Sequence, residues 1–486
     1  MAETIPHWLD KRASLSPNKV AMECEDGTKI TFGQLRQEAQ QLARKLRNMD
    51  IVKGDHVAIL SPNHTMMVKV IHALSYLGAV AVLLNTRLTA HELQYQLEDA
   101  DVKVLIFHEG QAEKACGLQI NKKISFSTVM DLVEAKTELH RELTLDDPFT
   151  IVYTSGTTGF PKGVVHTYGN HWWSAVSSAL NLGLSHDDKW LAVLPYFHVG
   201  GLSIFLKSVI YGMPVYVMEK FSADRVHQAI MEKSITIISV VTVMVQSLLE
   251  RLGGETYPKS LRCMLLGGGP ASRSLLQKAQ SKHVPIVQSY GMTETSSQII
   301  TLSFEDALDK IGSSGKSLFP AQVKIAAAEQ SDGVGEILVK GPMVSKGYYK
   351  KEAANKETFH DGWLATGDVG FLDDEGFLYV IDRRSDLIIS GGENIYPTEV
   401  ENAIALLEGV QEAGVVGKAS AQWGQVPAAF VVKEQGSDIT VETIQQQLSS
   451  HLAPYKIPKE IYFIESLPRN ASNKLMRNKL KEIAKN

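Results

Sequence analysis

The stretch Thr154–Ser155–Gly156–Thr157–Thr158–Gly159–Phe160–Pro161–Lys162–Gly163 gathers the residue types that hold a polyphosphate. Glycines let successive backbone N–H groups turn toward an anion, hydroxyls add donors, and the lysine ammonium supplies charge. The apolar lead-in Ile151–Val152–Tyr153 delivers the chain to this loop as a buried strand would. It is not a Walker A loop, because the G-x-x-x-x-G-K-[ST] spacing fails and Pro161 precedes the lysine. An ordinary hairpin turn is the bland alternative, and it leaves so many hydroxyls and glycines beside one cation unexplained. The three cysteines, Cys24, Cys116 and Cys263, are widely scattered. Their spacing gives neither a disulfide framework nor a metal site, and they read as reduced packing thiols.

A loop of this kind needs rigid elements on both sides. Short apolar runs at His56–Leu60, Val80–Leu84, Val102–Phe107, Ile235–Val240 and Arg262–Leu266 read as buried strands. Between them lie helical patterns: Thr31–Asn48, with Phe32, Leu35, Leu42 and Leu46 on one face, His64–Leu77, and Ala223–Lys233 with Ser222 as a capping oxygen. Such alternation predicts parallel α/β layers. After about Gly315 the pattern becomes a turn-rich β region, with strands in 333–339 and 376–380. From Ser385 a compact α+β pattern follows: helix Pro397–Leu407, strands Gly414–Gly417 and Ala428–Lys433, helix Val441–Leu452, strand Ile461–Ile464. The fold class expected is α/β: a large multi-layer N-terminal domain of α/β sheets plus a β-rich subdomain, and a small mobile α+β C-terminal domain.

The chain has 486 residues, with 49 Lys plus Arg against 54 Asp plus Glu and a net charge of −5. At roughly 150 residues per domain the length suggests about three compact units. A mildly acidic balance excludes a nucleic-acid coat and gives no reason to expect an anionic membrane partner, though a local basic pocket remains compatible. The longest apolar stretch, Ile235 to Leu249, is interrupted by Thr236, Ser239, Thr242, Gln246 and Ser247. It falls short of the roughly 20 residues of a membrane helix and reads as a buried strand running into a helix. Met1 to Asp10 holds Glu3, Pro6 and Asp10 and lacks the apolar core of a signal peptide. A soluble, cytoplasmic protein is expected, with monomer and homo-oligomer both open.

The Thr154–Gly163 loop closely resembles the phosphate loop of the adenylate-forming superfamily: acyl- and aryl-CoA synthetases, peptide-synthetase adenylation domains and luciferases. Four further motifs resemble that family's in its order: Tyr290–Gly291–Met292–Thr293–Glu294–Thr295, Thr366–Gly367–Asp368, Asp382–Arg383–Arg384–Ser385 with Gly391–Gly392–Glu393–Asn394–Ile395–Tyr396–Pro397, and Pro468–Arg469–Asn470–Ala471–Ser472–Asn473–Lys474. The resemblance runs essentially end to end. It implies a large nucleotide- and acid-binding domain (1–381), a hinge (382–385) centred on Ser385, and a small C-terminal domain (386–486) carrying the catalytic lysine. Ser385 departs mildly from the Asp or Lys common at the hinge position.

The roles implied are these. Thr154, Ser155, Gly156, Thr157, Thr158 and Lys162 hold ATP phosphates, and Gly267, Gly268 and Gly269 lie against adenine. Tyr290 stacks on the base, with Gly291 and Thr293 beside it. Asp368 takes the ribose hydroxyls, Arg383 adds a donor, and Glu294 sits near Mg²⁺. Lys474 bridges the carboxylate and the α-phosphate, and Arg383 and Thr295 stand with it as catalytic candidates. His198, from Pro195–Tyr196–Phe197–His198–Val199–Gly200–Gly201, lines the acid pocket, with Val241, Met244, Ser289 and Gly291. Gly391 and Gly392 pass the pantetheine arm of coenzyme A, whose own thiol makes a catalytic cysteine unnecessary.

The implied activity is ATP-dependent ligation of a carboxylic acid to CoA through an acyl-adenylate. Asn486 follows soon after Lys474, so no carrier domain is expected in cis. Within the family, the Phe197–Gly201 stretch and the 384–397 segment look most like bacterial 2-succinylbenzoate–CoA ligases of menaquinone biosynthesis. That substrate's second carboxylate needs a polar partner, and His198 is the one residue named for it. A medium-chain fatty acid or benzoate is the alternative acid. A non-catalytic binding module of the same fold is the alternative class, opposed by the presence of Lys162, Glu294, Asp368, Arg383 and Lys474.

Overall fold

The computed structural model describes residues 3–154, 160–268, 271, 273–327, 333–382, 387–434, 436–469 and 475–484. The chain divides into two compact units. One comprises Met1–Thr86, Leu97–Val152 and Gly163–Ile381, and the other comprises Arg87–Gln96, Tyr153–Lys162 and Asp382–Asn486.

The first unit is built on two large sheets. In the seven-stranded sheet, His56–Leu60 lies between Val80–Leu84 and Val104–Phe107, all parallel, and Pro148–Thr154 continues the parallel set beyond Val80–Leu84. Lys162–Thr167 and then Gly347–Tyr348 complete that edge, and the last two strands pair antiparallel. His56–Leu60 and Val80–Leu84 run as expected because parallel strands covered on both faces read as continuous apolar runs. Three other strands, Val104–Phe107, Ile237–Val240 and Cys263–Leu266, start one or two residues later than their apolar runs. The helix Phe32–Arg47 opens on a reciprocal capping box between Thr31 and Gln34. It buries Phe32, Leu35, Leu42 and Leu46, each contributing about 1.5–3 kcal/mol. Thr65–Leu77 is capped by the His64 ring and ends on Gly78 at φ +66°. Ala223–Glu232 starts after Ser222 as expected, but the Ser222 hydroxyl makes no cap bond, so the capping oxygen expected there is absent from its role.

The second large sheet has 14 strands. Its parallel part sets Cys263–Leu266 between Ile237–Val240 and Ile286–Met292. The next strand, Ser297–Leu302, turns back antiparallel, and Ser313–Ser317 pairs antiparallel with it in turn. The turn-rich β region expected after Gly315 is therefore a continuation of this sheet. A reversal at residues 293–296 converts parallel pairing into antiparallel pairing, which needs no crossover helix. The stretch 235–249 is a strand running into the helix Thr242–Leu252, and no helix among the described residues is long and apolar enough to cross a membrane. Cys263 is buried and Cys24 half-buried, whereas Cys116 is exposed and packs against nothing like a core, contrary to the expectation for all three.

In the second unit, Gly424–Lys433 forms a long hairpin with Val410–Ser420, is joined by Ile388–Ser390, and pairs in parallel with Glu460–Phe463. The expected strand Gly414–Gly417 is only the buried middle of Val410–Ser420. Helices Pro397–Ala405 and Val441–Leu448 end earlier than expected. Lys456 is nearly fully buried in this unit, with Nζ 2.7 Å from both Glu92 and Glu399. Two carboxylates satisfy a cation that burial alone would expel.

Candidate active site

The phosphate-type loop joins two neighbouring strands, so its ends are fixed together. Thr154 closes the strand Pro148–Thr154 and Lys162 opens the strand Lys162–Thr167. Ser155, Gly156, Thr157 and Thr158 lie outside the described residues, as do Gly269, Arg383, Ser385 and Lys474.

Gly267 and Gly268 follow the buried strand Cys263–Leu266 at its C-terminal end, where ligand sites of parallel sheets lie. A Cβ on Gly267 would come within 3.1 Å of the Ser289 hydroxyl, and one on Gly268 within 3.4 Å of Val241. Ser289 itself donates to the Leu266 carbonyl at 3.1 Å. Four predicted residues, Gly267, Gly268, Val241 and Ser289, thus form one patch of close-packed backbone and small side chains. Met244 lies one turn into the helix Thr242–Leu252, half-buried.

Beyond Ser289, pairing with Ser297–Leu302 slips between Tyr290 and Gly291. At Gly291 a Cβ would sit 2.2 Å from the Ser297 carbonyl oxygen, so no side chain fits the bulge. Tyr290 is 2% exposed, and its hydroxyl donates to Asp368 Oδ2 at 2.8 Å. Asp368 comes from a second irregularity, where the pairing of Gly335–Lys340 with Trp363–Leu372 shifts between Glu336 and Leu338. There Gly367 takes φ +73°, its N–H donates to Glu336 Oε1, and the Thr366 hydroxyl accepts from the Asp368 N–H. Two bulges on different strands therefore bring Tyr290 and Asp368 together.

The turn Thr293–Thr295 is 3₁₀. Glu294 is nearly buried, with Oε1 accepting from the Tyr348 hydroxyl at 2.7 Å. Thr295 is fully buried, its hydroxyl accepting from the Met292 N–H and donating to the Ser297 carbonyl at 2.7 Å, which closes the turn. The Thr293 carbonyl accepts from His166 Nε2 at 2.7 Å. Among the described residues no group of three or more His, Cys, Asp or Glu gathers as a metal cage. One nearly buried carboxylate without a cage fits Mg²⁺ carried by phosphates and water, which needs one or two protein ligands.

His198 precedes the helix Val199–Tyr211, half-buried, with its ring edge-on to Phe197 at 4.8 Å. About two and a half turns further along, Lys207 is 2% exposed. Its Nζ lies 5.6 Å from the Trp190 ring centroid, and Trp190 donates to Ser239, close in sequence to Val241. Burial pulls the Lys207 pKa down to about 7, with no carboxylate among the causes that set it. Lys207 was missed from sequence although a signal existed: one charge in the apolar run Leu202–Ser203–Ile204–Phe205–Leu206–Lys207–Ser208–Val209. His166, His171 and Tyr348 were also missed, because a lone His or Tyr near a motif reads as core.

Gly391 and Gly392 form the turn between Ile388–Ser390 and Glu393–Ile395, at φ +57° and +88°. The Gly391 N–H donates to the Trp423 carbonyl at 2.8 Å, and a Cβ there would meet the Trp423 ring at 2.9 Å.

Comparison with known proteins matches residues 9–349 to the AMP-binding enzyme family and residues 399–474 to the AMP-binding enzyme C-terminal domain. A protein of Oceanobacillus iheyensis named 2-succinylbenzoate–CoA ligase is 58% identical over 484 residues, covering 99% of this chain and all of that one. A solved double mutant of o-succinylbenzoate CoA synthetase from Bacillus subtilis, bound to the product analogue OSB-NCoA, is 46% identical, with TM-score 0.95 and 99% coverage of each chain. The same Bacillus subtilis enzyme in complex with ATP and magnesium ion is 46% identical with TM-score 0.77, covering 99% of this chain and 100% of that one. The chain belongs to the AMP-binding enzyme family.

Proposed function

We propose that the protein is an AMP-forming acid–CoA ligase that converts 2-succinylbenzoate, ATP and CoA into 2-succinylbenzoyl-CoA, AMP and pyrophosphate, a step of menaquinone biosynthesis. The observation that carries this is near-full-length identity of 58% to a 2-succinylbenzoate–CoA ligase. Substrate carboxylate oxygen attacks the α-phosphorus and pyrophosphate leaves. The CoA sulfur then attacks the acyl carbon of the adenylate and AMP leaves. The acid is ionised at neutral pH, so the first step needs no general base.

Charge cancellation is the main demand where two anions meet. We assign the loop Thr154, Ser155, Gly156, Thr157, Thr158 and Lys162 to the leaving phosphates, and Lys474 with Arg383 to the α-phosphate and carboxylate oxygens. Tyr290, Gly267, Gly268 and Gly269 take the base, Asp368 the ribose. Glu294 would hold Mg²⁺, which supplies charge neutralisation on the phosphates when bound. The Thr295 hydroxyl acts by closing the Glu294 turn. Gly391 and Gly392 remain assigned to the pantetheine arm. Domains 1–381 and 386–486, with a hinge at 382–385, complete the assignment, in the cytoplasm where ATP and CoA are held.

We assign the second carboxylate of the substrate to His198, and add Lys207 as a second candidate because an incoming anion would restore the charge that burial disfavours there. His198 at the N-cap of the helix Val199–Tyr211 and Lys207 within it are the polar groups that a purely apolar acid would leave stranded. CoA-dependent AMP release across 2-succinylbenzoate, benzoate and octanoate tests the reading. Preference for the first is expected; preference for octanoate defeats the assignment of the acid. Acid-dependent ATP–pyrophosphate exchange separates a ligase from a non-catalytic module.

A further inference from the structure

We infer that His166 is a positioning residue for the Glu294 turn, fixed in one orientation by a buried relay that runs His171 to Thr150 to His166 to the Thr293 carbonyl. This rests on the assignment of Glu294 to the magnesium of Mg·ATP. All three relay side chains are buried: His166 and Thr150 are 0% exposed and His171 is 3% exposed. His166 Nε2 is 2.7 Å from the Thr293 carbonyl oxygen and Nδ1 is 3.3 Å from the Thr150 hydroxyl. That hydroxyl is 2.9 Å from His171 Nε2.

The direction of every hydrogen follows from the last acceptor. A carbonyl oxygen can only accept, so His166 Nε2 carries the proton. Burial holds the His166 pKa down at about 4, so the ring is neutral and Nδ1 must accept. The Thr150 hydroxyl therefore donates to Nδ1, and its oxygen accepts from His171 Nε2–H. Three apolar residues would fill the same space without desolvation, so packing alone does not account for the relay.

The turn is gripped from the neighbouring strand as well. Tyr348 donates to Glu294 Oε1, and Ser345 N–H donates to the Glu294 carbonyl at 2.8 Å. Tyr348 pairs across from Val164 on the strand that carries His166. One strand pair thus sets the main chain before Glu294 through His166 and the carboxylate through Tyr348. Outer partners of a metal-binding carboxylate orient it in this way, and losing one costs about 10–100-fold in metal affinity.

The test uses the full-length enzyme. Calorimetry measures ATP binding with Mg²⁺ and, separately, in EDTA, and steady-state kinetics gives KM for 2-succinylbenzoate. His166→Leu is expected to weaken Mg·ATP about tenfold, leave ATP in EDTA unchanged, and leave the acid KM within about twofold. His166→Gln, which keeps a donor toward Thr293, should recover most of the loss. Unchanged Mg·ATP binding in His166→Leu overturns the inference, and so does equal weakening of ATP, Mg·ATP and acid with no recovery by Gln. If His166→Leu does not fold, Thr150→Val replaces it, with ¹⁵N-histidine NMR reading the tautomer. The wild-type ring must carry its proton on Nε2, and Thr150→Val must weaken Mg·ATP; either failing overturns the relay. Absence of acid-dependent AMP release by wild type would sink the ligase reading, while Mg·ATP calorimetry still decides the relay.

Discussion

Lys207 is the residue at which burial and the proposed function pull in opposite directions. With a folded pKa of about 7 against 10.5 unfolded, the unfolded chain binds the extra proton across that interval. Stability of the ligand-free enzyme therefore rises with pH from about 7 to 10.5 on this account. Lys207→Met removes both the slope and the penalty, so the ligand-free variant should melt higher at pH 7 than wild type. Its KM for 2-succinylbenzoate should rise about 10–100-fold, the worth of a hydrogen bond to a charged group, while KM for ATP holds. A variant with unchanged acid KM would leave Lys207 as a mere packing defect. For Lys474 the expectation is different: Lys474→Ala should abolish adenylation and spare thioester formation from supplied acyl-adenylate, followed by stopped-time product analysis. Loss in both half-reactions alike would defeat that separation. Asp368 and Glu294 were legible because each sits inside a motif. Lys207 and His166 were not, since their meaning comes from what surrounds them in space: Trp190 and His171 for one, Thr293 and Thr150 for the other.

Among the elements, the helix Val199–Tyr211 has His198 at its N-cap and Lys207 within it, and its start is tightly packed. A Cβ on Gly201 would sit 2.2 Å from the Pro195 carbonyl oxygen, whereas one on Gly200 would meet only a Leu194 methyl at 3.5 Å. Gly201→Ala must push the helix away from the 195–198 turn and should cost about 1–3 kcal/mol, as overpacking does. Gly200→Ala has room and gains helix propensity of up to about 1 kcal/mol. Urea midpoints of the two variants should move in opposite directions; a common shift would refute the reading. This helix was not visible as a helix in the sequence, because it is buried nearly all round and shows no 3.6-residue alternation. Phe32–Arg47, by contrast, has one buried face, a capping box and a polar back, and was read almost to the residue. The site bulges at Tyr290 and Glu336 escaped notice for a related reason: a one-residue slip depends on which strand lies opposite.

For the whole molecule, the sequence carried the layered α/β plan because fully covered parallel strands print themselves as apolar runs. It could not say that the late β strands join the same 14-stranded sheet, since Ser313–Ser317 takes the distant strand Leu378–Asp382 as its neighbour. That dense packing has a cost that pH reveals. His72 and His166 are both buried and held at about 4, well below the ordinary 6.5, by desolvation. His7 and His171 are depressed in the same direction, by burial first. Between about 4 and 6.5 the unfolded chain takes up protons that the folded chain refuses, so folded stability falls as the pH drops through that window and is fully present above it. Each histidine at about 4 accounts for about 3 kcal/mol at the acid end. The single-site check is His72, which lies on the helix Thr65–Leu77 with its Nε2 lacking a hydrogen-bond partner among the described residues. His72→Leu should remove about one proton's worth of slope between pH 6.5 and 4 in urea unfolding followed by tryptophan fluorescence. It should leave Mg·ATP binding as in wild type, because His72 lies outside the relay. An unchanged slope would mean that the interior admits water to His72 as it acidifies.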